Sequence, residues 1–347
     1  MTVQHGGDIY RNEIDLDFST SINPLGMPEC GRAAVSSALS RIGQYPDIRG
    51  RQLCKAIAVA EGISEECVFV GNGAVELIYG LCYGIRPKKV LSLAPAFSEY
   101  EQAVVASGGS MEFSYLKEED DFQVKDFYIG NRDLDMIFLC NPNNPTGAVM
   151  EREQLLDIAG QCEKNGTWLC VDECFLPFLH EEAYTMKREI ERFPHLLVLR
   201  AFTKVYGMPG LRLGYVLTAN QGIMERLESC LPPWNTSVIA QAAGIAVLED
   251  KGFLERTRNV VWQEREYLLG ELNGGLAKRV YTPTANFIFF SGRPDLYREL
   301  LEKKVLIRDC SNFRGLEPKY FRIAVRSHRE NEQLIRRWQS LDEKGRE

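Results

Sequence analysis

Lys204 and Arg212 stand eight residues apart in Thr203-Lys204-Val205-Tyr206-Gly207-Met208-Pro209-Gly210-Leu211-Arg212-Leu213-Gly214, a turn-rich segment between two apolar runs. Those runs, Leu196 to Phe202 and Leu213 to Leu217, have the composition of buried strands. Loops at strand ends are frequent seats of catalytic groups. A lysine there can hold an aldehyde as a Schiff base, and a guanidinium close by can clamp a phosphate through two parallel hydrogen bonds. Two charges on a solvated loop would give the same spacing, so other segments have to decide.

Asp172 follows the apolar run Trp168-Leu169-Cys170-Val171, which places it at a strand's carboxyl end, where ligands bind in open α/β sheets. A carboxylate in that position can pair with a protonated ring nitrogen and so favour an electron-sink cofactor; a helix cap or an exposed turn is the plainer use of an aspartate. Asn141-Pro142-Asn143-Asn144-Pro145-Thr146-Gly147 lies between a strand ending at Cys140 and a helix opening near Glu151, and its two Asn-Pro steps demand a turn. The Asn144 amide can donate to a phenolate oxygen. Gly71-Asn72-Gly73-Ala74 joins another strand to a helix, whose free N–H groups at Gly73, Ala74 and Val75 form an anion site. With Thr203 and Arg212 these groups make a phosphate cup. An aldehyde, a pyridine nitrogen, a phenolate and a phosphate are the four handles of pyridoxal 5'-phosphate.

These groups need a scaffold, and 347 residues, 45% of them hydrophobic, are enough to bury a large core and split into two lobes. Short apolar runs alternate with amphipathic stretches: Val68–Val70, a helix from Ala74 to Gly84, Lys89–Ala94, a helix from Ser98 to Ser107, Met136–Cys140, a helix from Glu151 to Asn165, and Thr167–Val171. That order predicts an α/β fold with a mostly parallel sheet of six or seven strands, complete by about residue 218, and helices on both faces. Beyond Trp234 two long helical patterns precede runs at Asn286–Phe290, Val305–Ile307 and Tyr320–Val325, a smaller α+β unit closed by a charged helix. The expected division is an N-terminal arm over 1–40 that joins the small domain, a large cofactor-binding domain over 41–245, and a C-terminal small domain over 246–347.

A net charge of -7 offers no basic excess for a nucleic-acid backbone, so no nucleic-acid partner is expected. No leader pattern and no long apolar run is visible, so a cytoplasmic protein with no membrane partner is expected. The ten cysteines are dispersed through apolar segments with no Cys-x-x-Cys pair, the pattern of reduced core residues, and no metal is expected.

In order and spacing, the 141–147 motif, Asp172-Glu173, and Thr203-Lys204 ahead of Pro209-Gly210-Leu211-Arg212-Leu213-Gly214 resemble the fold-type I pyridoxal-phosphate aminotransferase superfamily. The resemblance implies that Phe97, in Ala94-Pro95-Ala96-Phe97, covers the cofactor ring. It also implies that Tyr45, in Gln44-Tyr45-Pro46-Asp47, reaches the cofactor phosphate of a neighbouring subunit, hence a homodimer with shared sites. One departure is visible: where many relatives carry a tyrosine three residues after the aspartate, this chain has Phe175. Losing that donor raises the proton affinity of the lysine linkage, because an unpaired phenolate favours a nearby positive charge.

Three further segments narrow the resemblance: His5-Gly6-Gly7, Asp17 to Gly26, and Leu306 to Leu316. They resemble the threonine-phosphate decarboxylases of the cobalamin pathway, a group close to the histidinol-phosphate aminotransferases. By that resemblance Arg322 receives the substrate carboxylate, while His5, Gly6 and Asn23 surround its phosphate or carboxylate. A phosphorylated amino acid carries two anionic groups, and Arg308 and Arg326 are further cations able to meet them. The expected reaction is decarboxylation of L-threonine O-3-phosphate to (R)-1-aminopropan-2-yl phosphate. Lys204 anchors the cofactor and moves the proton. Transamination of histidinol phosphate or an aromatic amino acid with 2-oxoglutarate is the alternative, since no local motif separates the two outcomes.

Overall fold

The computed structural model describes residues 5–125, 127, 129, 133–180 and 183–344; the ends of the expected arm (1–4) and small domain (345–347) lie outside them. Its strands are β1 (Leu16–Asp17), β2 (Val68–Gly71), β3 (Lys89–Ala94), β4 (Ser110–Tyr115), β5 (Met136–Cys140), β6 (Trp168–Asp172) and β7 (Leu196–Ala201). They continue with β8 (Gly214–Leu217), β9 (Arg279–Val280), β10 (Phe287–Ser291), β11 (Val305–Leu306), β12 (Arg308–Asp309) and β13 (Tyr320–Ala324).

Seven strands form one sheet in the order β2-β8-β7-β6-β5-β3-β4. The chain has a fold-type I architecture, a mostly parallel sheet in which β8 alone runs against its neighbours β2 and β7. Strands β5, β6 and β7 are apolar almost throughout because both sheet faces are covered. Ile137, Leu139, Leu169, Val171 and Val198 point to one side, onto helices that include Arg51–Glu61 and Arg152–Asn165. Met136, Phe138, Cys170, Leu197 and Leu199 point to the other, onto Ala74–Ile85, Glu99–Ala106 and Gln221–Cys230. The helix boundaries follow local chemistry: Glu151 and Gln154 form a reciprocal capping box at the start of Arg152–Asn165, and Gly166 in the left-handed region ends it.

The second lobe is the antiparallel sheet β12-β13-β10-β9, packed on Phe253–Glu271 and on His328–Lys344. Arg308 and Arg322 are direct cross-strand partners in it, so both guanidinium stems leave the same face. The arm joins this lobe through β1, which pairs with β11 and buries Leu16 and Phe18. Farther along, the arm turns away, and helix Glu29–Ala38 packs on Val238–Glu249, where a Cβ on Gly31 would lie 2.6 Å from Val247. The expected division after residue 245 falls inside this helix. All ten cysteines are free, and among the described residues no helix is long and apolar enough to cross a membrane.

The lobes are tied together by the segment after β4. Phe122 packs edge-on against Tyr281, Phe289 and Tyr320, while the Glu118 carboxylate accepts the hydroxyls of Tyr281 (2.5 Å) and Tyr320 (2.7 Å). Those two bonds hold the Glu118 carboxyl down to about 2. A depressed carboxyl contributes stability above its unfolded value, near 4.5, and loses it as pH falls toward the folded value. Glu118→Gln should therefore destabilise the protein at pH 7 by about 1 kcal/mol, a figure discounted for solvent screening. In urea titrations the gap between wild type and variant should close between pH 4.5 and 2, and a gap independent of pH would disprove the tie.

Candidate active site

Strands β3, β5, β6 and β7 deliver their carboxyl ends to one edge of the sheet, and β8, being antiparallel, delivers its amino end there. This reversal is what brings Arg212, two residues before β8, beside groups that follow parallel strands. A cleft of about 250 Å³ opens at this edge, floored by the large sheet and roofed by the arm and the second lobe. From the sheet side Ala74, Val75, Phe97, Asn144, Asp172, Thr203, Lys204 and Arg212 line it. Across from them stand His5, Gly6, Arg308 and Arg322.

At one end, helix Ala74–Ile85 begins at Gly73 with no side-chain cap, which leaves its first N–H groups free for an anion. Gly73 has φ +88°, and a Cβ there would lie 2.6 Å from Arg212 Nη2. Only glycine permits both that backbone and that approach. Gly214 serves in the same way, since its Cβ would lie 2.6 Å from the Ala74 nitrogen.

Asp172, at the end of β6, is buried and engaged on both oxygens: Tyr100 donates its hydroxyl to Oδ2 at 2.6 Å, and the Cys174 N–H donates to Oδ1 at 2.9 Å. Burial pushes the carboxyl up, and its hydrogen-bond donors together with the Lys204 charge pull it back. Lys204 sits in the short helix Phe202–Val205 that follows β7. Burial, and then the charge of Arg322, lower its ammonium to about 8. Phe97 lies edge-on to Tyr100 at 5.7 Å and near the His5 ring at 6.1 Å.

Arg322 is buried. Its Nη1 donates to the Asn144 side-chain oxygen and its Nη2 to the Ser19 carbonyl, while Nε has no partner. Burial lowers it to about 10. Beside it Arg308, also buried, donates to the Asp309 carbonyl (2.6 Å) and to Asn312 (2.7 Å) and lies over the Phe313 ring. Two guanidiniums held by neutral partners form a receptor for anions. His5, about half exposed, reaches Glu99 at 2.9 Å across the mouth of the cleft.

Three expected residues lie elsewhere. The Asn23 amide donates to the Val205 carbonyl (2.6 Å) and to Thr257 (2.8 Å), and its own N–H bonds the Lys204 carbonyl (3.1 Å). The Asn23 amide is thus spent on the Val205 carbonyl and the Thr257 hydroxyl, and with its own N–H on the Lys204 carbonyl it clamps the end of the lysine helix. Arg326 pairs with Glu330 at 3.0 Å outside the cleft. Tyr45 is 80% exposed and packs at a tilt against Trp234, ring centroids 4.7 Å apart, away from the cleft of its own chain. Phe175 lines the cleft with its ring edge toward Phe287, so no hydroxyl is supplied at that position.

The sequence reading overlooked Tyr100, although it follows Phe97 by three residues and meets it edge-on at the entrance to the helix Glu99–Ala106. It also overlooked Ser19, whose contribution is a backbone carbonyl and carries no sequence signature.

The donor set fits pyridoxal phosphate. A phosphate meets the uncapped helix and Arg212, the ring nitrogen meets Asp172, and the aldehyde meets a lysine of lowered proton affinity.

The model of "aminotransferase class I and II" matches residues 13–337. Threonine-phosphate decarboxylase of Salmonella typhimurium is 35% identical over 326 residues, covering 92% of this chain and 89% of the relative. The adenosylcobalamin biosynthesis bifunctional protein CobDQ of Leptospira interrogans is 31% identical, and the match covers 96% of this chain and 40% of that longer protein. Among solved structures, the histidinol-phosphate aminotransferase of Clostridium acetobutylicum superposes with a TM-score of 0.86 at 31% identity, covering 95% of this chain and 99% of the other.

An amine captures an aldehyde only when neutral, so the titration of Lys204 is measurable. The rate at which cofactor-free protein takes up pyridoxal phosphate should rise with pH through about 8. Arg322→Gln should move the midpoint upward by removing a repelling charge. A wild-type midpoint at the ordinary lysine value of 10.5 would refute the assignment.

Proposed function

The chain belongs to the class I and II aminotransferase family, and we propose that within it this protein decarboxylates L-threonine O-3-phosphate to (R)-1-aminopropan-2-yl phosphate. The observation that carries this reading is the pair of buried arginines, Arg308 and Arg322, facing Lys204 across one small cleft. A substrate with a carboxylate at one end and a phosphate at the other satisfies both.

Pyridoxal phosphate, when bound, supplies an electron sink for the pair left on the substrate α-carbon. Asp172 would hold the proton on its ring nitrogen, and Thr203, Arg212 and the N–H groups of Ala74 and Val75 would hold its phosphate. Phe97 would cover the ring, and Asn144, which tethers Arg322, would reach the phenolate. Arg322 would grip the substrate carboxylate and fix how the α-carbon is presented; positioning of this kind can supply much of a reaction preference. Arg308 receives the substrate phosphate, and His5 and Gly6 close the mouth and exclude water. Lys204 Nζ, neutral in part near pH 8, accepts and returns the proton that replaces the lost carboxylate at the α-carbon.

Purified protein loaded with pyridoxal phosphate should release carbon dioxide from threonine phosphate with no oxo acid present, and Arg308→Gln should lower kcat/KM about tenfold or more. Turnover that depends on 2-oxoglutarate would identify an aminotransferase instead.

A cytoplasmic homodimer with shared sites completes the reading. Tyr45 projects from the surface beside exposed Leu39, Ile42, Ile48 and Trp234, an apolar patch suited to a second copy. Mixing inactive Lys204→Ala with a Tyr45→Ala variant of weakened cofactor affinity should restore about a quarter of wild-type activity through hybrid dimers. A fully active monomer in sedimentation would eliminate the shared site.

A further inference from the structure

Tyr100 is wholly buried, and its environment fixes it for one contact. Its ring stacks on Phe138 at 4.9 Å with 6° between planes and meets Phe97 edge-on, which leaves only the hydroxyl hydrogen free to turn. That hydrogen points to Asp172 Oδ2 at 2.6 Å, a short charge-assisted bond. Burial and the facing carboxylate push the phenol well above its ordinary value, so it stays a donor at any working pH.

We propose that Tyr100 is a positioning residue that acts through Asp172, keeping the carboxylate weakly basic so that the proton it shares with the cofactor stays on the ring nitrogen. The proposal rests on the cofactor assignment above. Its physical basis is a competition between two acceptors for one proton. A carboxylate in an apolar strand end becomes more basic, and would draw the proton from a pyridine nitrogen. Each hydrogen bond donated to the carboxylate opposes that drift, and the Tyr100 bond, at 2.6 Å, is shorter than the Cys174 N–H bond at 2.9 Å. The other titratable groups near Asp172 are Cys140, Cys170 and Cys174, thiols held protonated by burial, and Lys204. Tyr100, together with the Cys174 thiol, thus tunes Asp172 without carrying a charge itself.

The test uses the holoenzyme loaded with pyridoxal phosphate labelled with 15N in the ring. Wild type should give a pyridinium-like nitrogen shift at pH 7, and Tyr100→Phe, which keeps the stacked ring, should move the resonance toward neutral pyridine. In the same variant kcat should fall about tenfold with KM unchanged, the scale of one hydrogen bond to a charged group. On an Asp172→Asn background the added Tyr100→Phe should change neither quantity, because the two act in series. A lowered kcat with an unmoved nitrogen shift would make Tyr100 merely structural, and a neutral-pyridine shift in wild type would overturn the proposal even if the variant failed to fold. The nitrogen shift needs no turnover, so a failure to decarboxylate threonine phosphate would count against the proposed reaction and leave the Tyr100 result standing.

Discussion

A buried guanidinium with only neutral partners governs this structure. Arg322 gives its hydrogen bonds to the Asn144 amide oxygen and the Ser19 carbonyl and lies over the Phe287 ring, and no carboxylate among the described residues pairs with it. Burying a charge this way is expensive unless hydrogen bonds surround it. The three contacts that lower that cost come from three parts of the chain, so the cation can be accommodated only when the arm, the loop after β5 and the antiparallel sheet are all in place. Its field also acts on the lysine, whose ammonium it disfavours. The anion receptor therefore adds to the burial that already lowers the amine.

On the opposite side of the same sheet the protein treats charge differently. Asp172 and Glu173 are consecutive, and the strand alternation sends them to opposite faces. Glu173 accepts from Arg200 at 2.6 Å and from Thr185 at 2.8 Å, while Glu61 takes Arg200 and Lys187, at 3.1 and 2.9 Å, and the Tyr215 hydroxyl. Every carboxylate in that cluster has a cation, and Glu61 is held ionised down to about 2. Behind the sheet, charges are matched and the strand ends are fixed. In front of it, the guanidiniums are left to meet a ligand.

The strands that carry the site were legible because burial on both faces makes them continuous apolar runs. Strand β4 was not, since Ser110-Met111-Glu112-Phe113-Ser114-Tyr115 is a half-exposed edge and reads as a polar connection. The residues of the phosphate cup were legible from turn chemistry, where glycine at 73 has a steric reason. Asn23 and Arg326 were misplaced for a common reason: a polar residue in a distinctive segment announces that it is used, and the segment does not say whether by a ligand, by backbone carbonyls or by a neighbouring glutamate. The pairing of Arg308 with Arg322 depends on strand register, which local pattern leaves undetermined.

Arg322 lies 178 residues from Asn144 and 303 from Ser19 along the chain. A chain made from its amino end completes the large sheet at β8, well before β13 exists. Until then Ser19 and the lysine loop have no guanidinium to organise them, and the arm has no β11 to pair with. The nascent protein thus passes through a stage with a finished floor and no roof, in which Lys204 lacks the charge of Arg322. Such long-range closure is slow. The share of the lysine's lowered proton affinity that comes from Arg322 therefore arrives only with the last strands.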